Sequence, residues 1–438
     1  MKTPISQLFA AQKANQSTLK TSSVAQRKQT LKKLKVLVQQ NESAIFEALK
    51  KDLGKPLFEA AVTEVYFVYA EIDFALKNLS SWMKPQRVAP TLTSLFTKNR
   101  ILYEPKGLSL IISPWNYPFQ LAISPLVSAI AAGNAVIIKP SELSPATSAL
   151  LYSLISANFA TEDIACVEGD AEVAKELLSL PFDHIFFTGS TAIGKVVMRA
   201  AADHLASVTL ELGGKSPAVI TESAALEKAA EKIVWGKYLN VGQTCIAPDY
   251  VMLPEHLLEK FVDLAAENIN KLFTLNGQLN TEAYGSIINN RHFDRQKKLF
   301  DDAIAKGATL LTGGKRIEGD GYFFEPTVLI NVDHSMSVMR EESFGPIIGI
   351  MKVSNDEEAL QLMNDTSYGL TASVYSSNRQ RAEKLLSATD AGTGYWNCCD
   401  RVSAALPWSG RKHSGFGATL SHAGIRAFTQ PKAFHLRG

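Results

Sequence analysis

Three short stretches carry side chains suited to acyl chemistry. "GQTCIAPDY" sets Cys245 in a polar loop behind a helical pattern, with Gly242 letting the backbone come close to a ligand. An accessible thiol becomes a good nucleophile once dipoles or positive charge favour its thiolate. A small cysteine packed beneath the loop is the competing reading, because cysteine is commonly buried. "TLELGG" puts Glu211 in an otherwise apolar strand that runs straight into two glycines. Burial there raises a carboxyl toward the range of a useful general base. The alternative is a glutamate at an exposed strand end, capping a neighbouring helix. "PWNYP" brackets Asn116 with Pro114 and Pro118. That side-chain amide can donate to a developing oxyanion or bond its own backbone in a turn.

A second group suits a nucleotide. "IIKPSE" places Lys139 and Glu142 at the C-terminal end of a predicted strand, where ligands bind in open α/β sheets. A lysine can meet phosphate or ribose oxygens, and a carboxylate can accept from ribose hydroxyls. "FTGSTAIG" reads as a strand-to-helix turn with Gly189, Ser190 and Gly194, looser than GxGxxG, whose amides at a helix N-terminus suit a phosphate. Of the other cysteines, Cys166 sits in an apolar strand and reads as structural, while Cys398 and Cys399 stay open between packing and chemistry.

The elements that must hold these residues alternate. Helical spacing over 24–82 gives way at 87–105 to Pro, Thr and β-branched residues, an extended excursion or hairpin. "NAVIIKP", "DIACVEG", "DHIFFTG" and "SVTLEL" are short apolar strands separated by helices, which implies a parallel sheet covered on both faces. After "GGKSPAVI" the alternation starts again, a second α/β unit. A chain of 438 residues with 46% hydrophobic and 20% charged residues has room for two or three such units. Lys+Arg is 45 and Asp+Glu 43, which gives no electrostatic reason to expect nucleic acid or an anionic membrane as partner. Four cysteines without CxxC or Cys/His spacing indicate neither a metal site nor a disulfide scaffold, so a reducing, cytoplasmic setting is expected. The N-terminus shows no signal-peptide pattern. The apolar stretch 108–139 is broken by Pro114, Asn116, Pro118, Pro125 and Asn134, which argues against a membrane span.

In the order "PWNYP", "IIKPSE", "FTGSTAIGK", "TLELGGKSP", "GQTCIAPDY", "EESFGPI", "YGLTASVY", "PWSGRKHSGFG", the chain resembles the aldehyde dehydrogenase superfamily over essentially its whole length. The separations agree as well, 34 positions from Glu211 to Cys245 and 97 from Cys245 to Glu342. It looks most like the class 3 branch, which acts on fatty and aromatic aldehydes. The resemblance implies an α/β fold with a Rossmann-type cofactor domain (1–86 and 106–210), a second α/β catalytic domain (211–413) and a small β bridging element (87–105 and 414–438). It implies Cys245 as nucleophile, Asn116 and the Cys245 amide as oxyanion donors, and Glu211 as the base that activates water. Lys139 and Glu142 would bind the adenosine ribose, and Gly189, Ser190 and Gly194 would flank pyrophosphate and adenine. Glu342 would hold the nicotinamide ribose, with Phe344 and Trp115 along the cofactor's path. Glu142 favours NAD, with NADP tolerated in this branch. The implied substrate tunnel contains Gln120, Leu121, Ser124, Leu239, Arg401, Val402 and Trp408. Ser124 and Leu239 stand where relatives that oxidise succinate semialdehyde usually carry arginines, which points to a hydrophobic aldehyde. The competing functions are a succinate-semialdehyde-type enzyme, a CoA-acylating one and a catalytically silent relative. A homodimer is expected, paired through the C-terminal strand.

Overall fold

Strands Leu108–Ile112 and Ala135–Lys139 are buried at every position, as strands covered by helices on both faces must be. They form the centre of a six-stranded sheet ordered Gly415–Phe416, Ser207–Glu211, His184–Thr188, Leu108–Ile112, Ala135–Lys139, Ile164–Cys166. All neighbours are parallel except the first pair. The order reverses direction between Leu108–Ile112 and His184–Thr188, and a crevice opens beyond the strand ends at such a switch point. The structure, a computed structural model, describes residues 3–319, 321–399 and 401–437.

The helices over this sheet begin and end where local chemistry directs. Ser23 and Gln26 form a capping box at the start of Val24–Gln40, and Gly54, at φ 61°, closes Glu42–Leu53 in the left-handed conformation that glycine adopts without penalty. Pro125, which reads in sequence as a break, lies inside helix Gln120–Ala132, a helix buried almost throughout. No helix among the described residues is long and apolar enough to cross a membrane.

The second sheet has seven strands, ordered Thr309–Thr312, Thr327–Ile330, Ile347–Lys352, Pro248–Leu253, Ser216–Ile220, Thr371–Tyr375, Thr393–Trp396, antiparallel only at the first pair. Helices Leu226–Tyr238, Leu258–Phe273 and Asn290–Ala305 pack on it around one apolar cluster that includes Val251, Phe261 and Leu299. The expected hairpin is present as Gln86–Val88 with Lys98–Pro105, and Thr429–Leu436 pairs antiparallel along the full length of the longer strand. Among the described residues of 414–438, only that last strand joins the small sheet. Gly415–Phe416 pairs with Ser207–Glu211, and helix Ser421–Ala427 contributes Ile425 to the core beneath the six-stranded sheet.

Candidate active site

One cavity of about 570 Å3 lies between the two large sheets, and Cys245, Glu211 and Asn116 all line it. Each arrives from a different direction. Asn116 sits in the loop after strand Leu108–Ile112, Glu211 ends its own strand, and Cys245 precedes strand Pro248–Leu253.

The loop that carries Cys245 is built against the backbone's preference. Asn240 (φ 51°), Val241 (φ 58°) and Gly242 (φ 71°) are all left-handed, and for a β-branched valine this is a genuine outlier. Such strain persists only where surrounding contacts over-determine it. Here Val241 is buried, and a Cβ on Gly242 would lie 2.2 Å from the Gly345 carbonyl oxygen. Gln243 donates to the carbonyls of Asn240 and Ser286 (3.1 Å each) and accepts from the Ile288 amide at 2.9 Å. The Asn116 amide donates to the Gln243 carbonyl at 2.9 Å, leaving the group's second N–H for another acceptor.

Behind this loop lies a buried cluster of charges. Asp249 pairs with Lys215 at 3.0 Å and Lys237 at 3.1 Å, and it accepts from the Ser343 amide at 3.1 Å and from the Ser343 hydroxyl. Burial pushes the Asp249 carboxyl up, but the two ammonium groups and Ser343 outweigh it and bring it to about 2. The cluster ties together the segments just after Glu211, just after Cys245 and beside Glu342.

Glu211 has the opposite environment. Burial raises its carboxyl to about 8, only partly opposed by a hydrogen bond from Trp408, and its Oε1 has no partner. Glu342 is likewise raised to about 8 by burial while accepting from the Gly214 amide at 2.8 Å.

Gly189, Ser190, Leu212, Gly213, Glu342, Phe344 and Trp115 line the same cavity. A dinucleotide fits against these residues by two observations. Helix Thr191–Asp203 presents its N-terminus there, and Gly213 forms a cradle that a side chain would fill, since a Cβ would stand 2.2 Å from Glu342 Oε2. The Trp115 and Phe344 rings meet edge-on at 5.4 Å. Gly194 is not on the wall; it lets its helix approach Leu212, whose Cδ2 would be 2.7 Å from an added Cβ. Lys139 and Glu142 are also off the wall, at the end of the neighbouring strand, paired at 2.6 Å.

Gln120, Leu121, Ser124, Leu239, Arg401, Val402 and Trp408 all line the cavity. Sequence reasoning missed its helix-borne wall: Phe58, Glu59 and Val62 before helix Tyr66–Trp82, and His292 and Arg295 on Asn290–Ala305. Asn289 as N-cap followed by Phe293, Gln296 and Leu299 at helical spacing was a readable signal for the second of these. Burial, with the Lys55 charge pulling the other way, raises Glu59 to about 7.

The aldehyde dehydrogenase family profile matches residues 2–434. The chain is 37% identical to 4,4'-diaponeurosporen-aldehyde dehydrogenase of Staphylococcus aureus (strain NCTC 8325 / PS 47), covering 98% of this chain and 93% of the relative. It is 41% identical to aldehyde dehydrogenase family 3 member A2 of Pongo abelii over 90% of this chain and 80% of that one. The solved substrate-bound state of Staphylococcus aureus AldH superposes with a TM-score of 0.93 at 36% identity, covering 100% of this chain and 95% of the other.

Proposed function

The chain belongs to the aldehyde dehydrogenase family, and from that premise we propose that Cys245, Glu211 and Asn116 carry its NAD(P)-dependent oxidation of an aldehyde to a carboxylic acid. The supporting observation is that these three residues, from three separate segments, line one cavity that continues past Gly189, Ser190 and Glu342.

The Cys245 sulfur adds to the carbonyl carbon, forming a thiohemiacetal whose oxyanion accepts from the Asn116 carboxamide and the Cys245 backbone amide. Bound NAD(P)+ supplies the acceptor for the hydride that leaves this carbon. The thioester left on Cys245 is attacked by water, Glu211 takes the water's proton, and the C–S bond breaks to release acid and thiolate. Ser190 and Gly189 would hold pyrophosphate, and Glu342 the nicotinamide ribose. Lys139 and Glu142 would reach the adenosine ribose from beside the cavity, and the Glu142 carboxylate favours NAD over NADP.

The substrate reading is a hydrophobic aliphatic or aromatic aldehyde. Leu121, Leu239, Phe58, Val62 and Trp408 supply apolar wall, and the buried carboxyl of Glu59 on the same wall disfavours a carboxylate-bearing substrate. NADH formation against aldehydes of varied chain length, aromaticity and terminal charge tests this. Turnover is expected without CoA and to be weakest for aldehydes ending in a carboxylate. NADH that appears only with CoA, or a preference for the carboxylate-bearing aldehyde, would sink it.

The domain reading follows the sheets, with residues 414–428 assigned to the cofactor unit. Strand Thr429–Leu436 is the outer strand of the small sheet, and a cytoplasmic homodimer that covers this edge is the assembly we favour.

A further inference from the structure

The mechanism above makes no use of the most deeply buried ion pair in the site's surroundings. Lys55 Nζ and Glu64 Oε1 are 2.6 Å apart, and both side chains are 0% exposed. Against apolar residues of similar volume such a pair contributes little stability, because desolvation offsets the attraction. Lys55 also acts through its charge on Glu59, but the pair's other hydrogen bonds and its ring contact fall on the segment that carries Asn116. Lys55 donates to the Asn116 carbonyl at 3.1 Å, and its ammonium stands 4.1 Å over the Tyr117 ring. The second Glu64 oxygen accepts from the amides of Phe119 at 3.1 Å and Gln120 at 2.8 Å, the entrance of helix Gln120–Ala132.

The same segment is fastened to the nucleophile loop. The Asn240 amide donates to the Asn116 carbonyl at 2.8 Å, the oxygen that Lys55 also holds, and the Tyr117 hydroxyl meets the Thr244 hydroxyl at 2.7 Å. Thr244 is the immediate neighbour of Cys245. An ion pair thus grips residues 116–120 from one side while residues 240–244 grip them from the other.

We propose that the Lys55–Glu64 pair positions the oxyanion donor, fixing the Asn116 backbone in register with the Cys245 loop so that carboxamide and thiol converge on one carbonyl. Neither residue touches substrate; both act through Asn116. The proposal rests on the roles given to Asn116 and Cys245 above.

The test is the double substitution Lys55→Met with Glu64→Gln, which leaves no lone charge buried. With saturating NAD and aldehyde, the pre-steady-state burst of NADH should slow roughly 10- to 100-fold, the range for a displaced oxyanion donor. NAD affinity and the rate of iodoacetamide alkylation at Cys245 should stay within about 2-fold, because neither uses the Asn116 amide. In an Asn116→Ala background the same pair of substitutions should slow the burst by less than about 3-fold, since the group being positioned is gone. A parental burst rate, an equal slowing in the Asn116→Ala background, or a double variant that does not fold would each overturn the proposal. A parental burst from Asn116→Ala alone is a different failure: it removes the oxyanion donor itself, and the positioning role falls with it.

Discussion

The six-stranded sheet meets the cavity at the C-terminal ends of its strands, where Thr188 runs into Gly189 and Ile112 into the Asn116 loop. The seven-stranded sheet meets it at the N-terminal ends, with Cys245 just before Pro248–Leu253 and Glu342 just before Ile347–Lys352. The two ends offer different chemistry. At the first, a helix N-terminus supplies free backbone amides and a positive dipole, which suits a phosphate without any charged side chain. At the second, the chain reaches Cys245 through a left-handed turn that follows helix Leu226–Tyr238. Around Cys245 the shape is held instead by the buried Asp249 cluster and a strained turn at 240–242, while the Lys55–Glu64 pair holds the facing Asn116 segment. On the roles proposed above, the phosphate end is built largely from backbone, whereas the groups that would react, Asn116 and Glu211 from the first sheet and Cys245 from the second, are brought together as side chains.

If that division holds, substitutions at the groups proposed to react change kcat and leave NAD affinity alone. Cys245→Ala should lower kcat by roughly 10^4-fold or more, with NAD affinity within about 2-fold by fluorescence titration. A large loss of NAD affinity would break the division. Glu211→Gln should keep the first-turnover burst of NADH and lose roughly 10^2- to 10^4-fold in steady turnover, the span of a general base. Steady turnover at the parental rate would remove Glu211 from deacylation.

Glu211 also sets a pH signature. Burial holds it at about 8, so the basic form grows as pH rises, and kcat limited by deacylation should climb to a plateau above about 8. Glu211→Gln should lose that limb. Stability runs the other way. Glu59 at about 7 and Glu71, Glu211 and Glu342 at about 8 are all raised by burial above the ordinary carboxylate value of 4.5. From there to about pH 8 the folded state binds more protons than the unfolded, so unfolding free energy falls as pH rises through that window. Denaturant midpoints that fall from pH 6 to pH 9 are expected; midpoints that rise across that range would mean these carboxyls are not held protonated.

The same division governs what could be read from sequence. The cofactor side was legible from local pattern: "DHIFFTGSTAIG" is an apolar run, a glycine and a helix start, and the structure has strand His184–Thr188 and a helix N-cap at Ser190. Cys245 obeys no strand-end rule. Its loop stood out only by composition and by the family likeness, and the left-handed Val241 beside it has no sequence signal, because tertiary contacts alone hold it there. Lys55 and Glu64 were unreadable for a related reason. They lie in an ordinary amphipathic stretch, and only the fold brings them to within 2.6 Å of each other and beneath Asn116, dozens of positions away.

Gly194 gives the finest test, because it sits where the two sides touch. Its helix belongs to the cofactor side, yet an added Cβ would press on Leu212, the residue after Glu211 and part of the cavity wall. Alanine should gain about 1 kcal/mol in helix propensity and lose about 1–3 kcal/mol to overpacking. Leu212 ends in flexible methyl groups, so the loss should fall at the low end and the denaturation midpoint should move only slightly downward. A glycine that merely admits pyrophosphate predicts something else: weaker NAD binding with no change in stability. Gly194→Ala measured both ways separates the two, and weakened NAD binding at a parental midpoint would return Gly194 to the cofactor's own contacts.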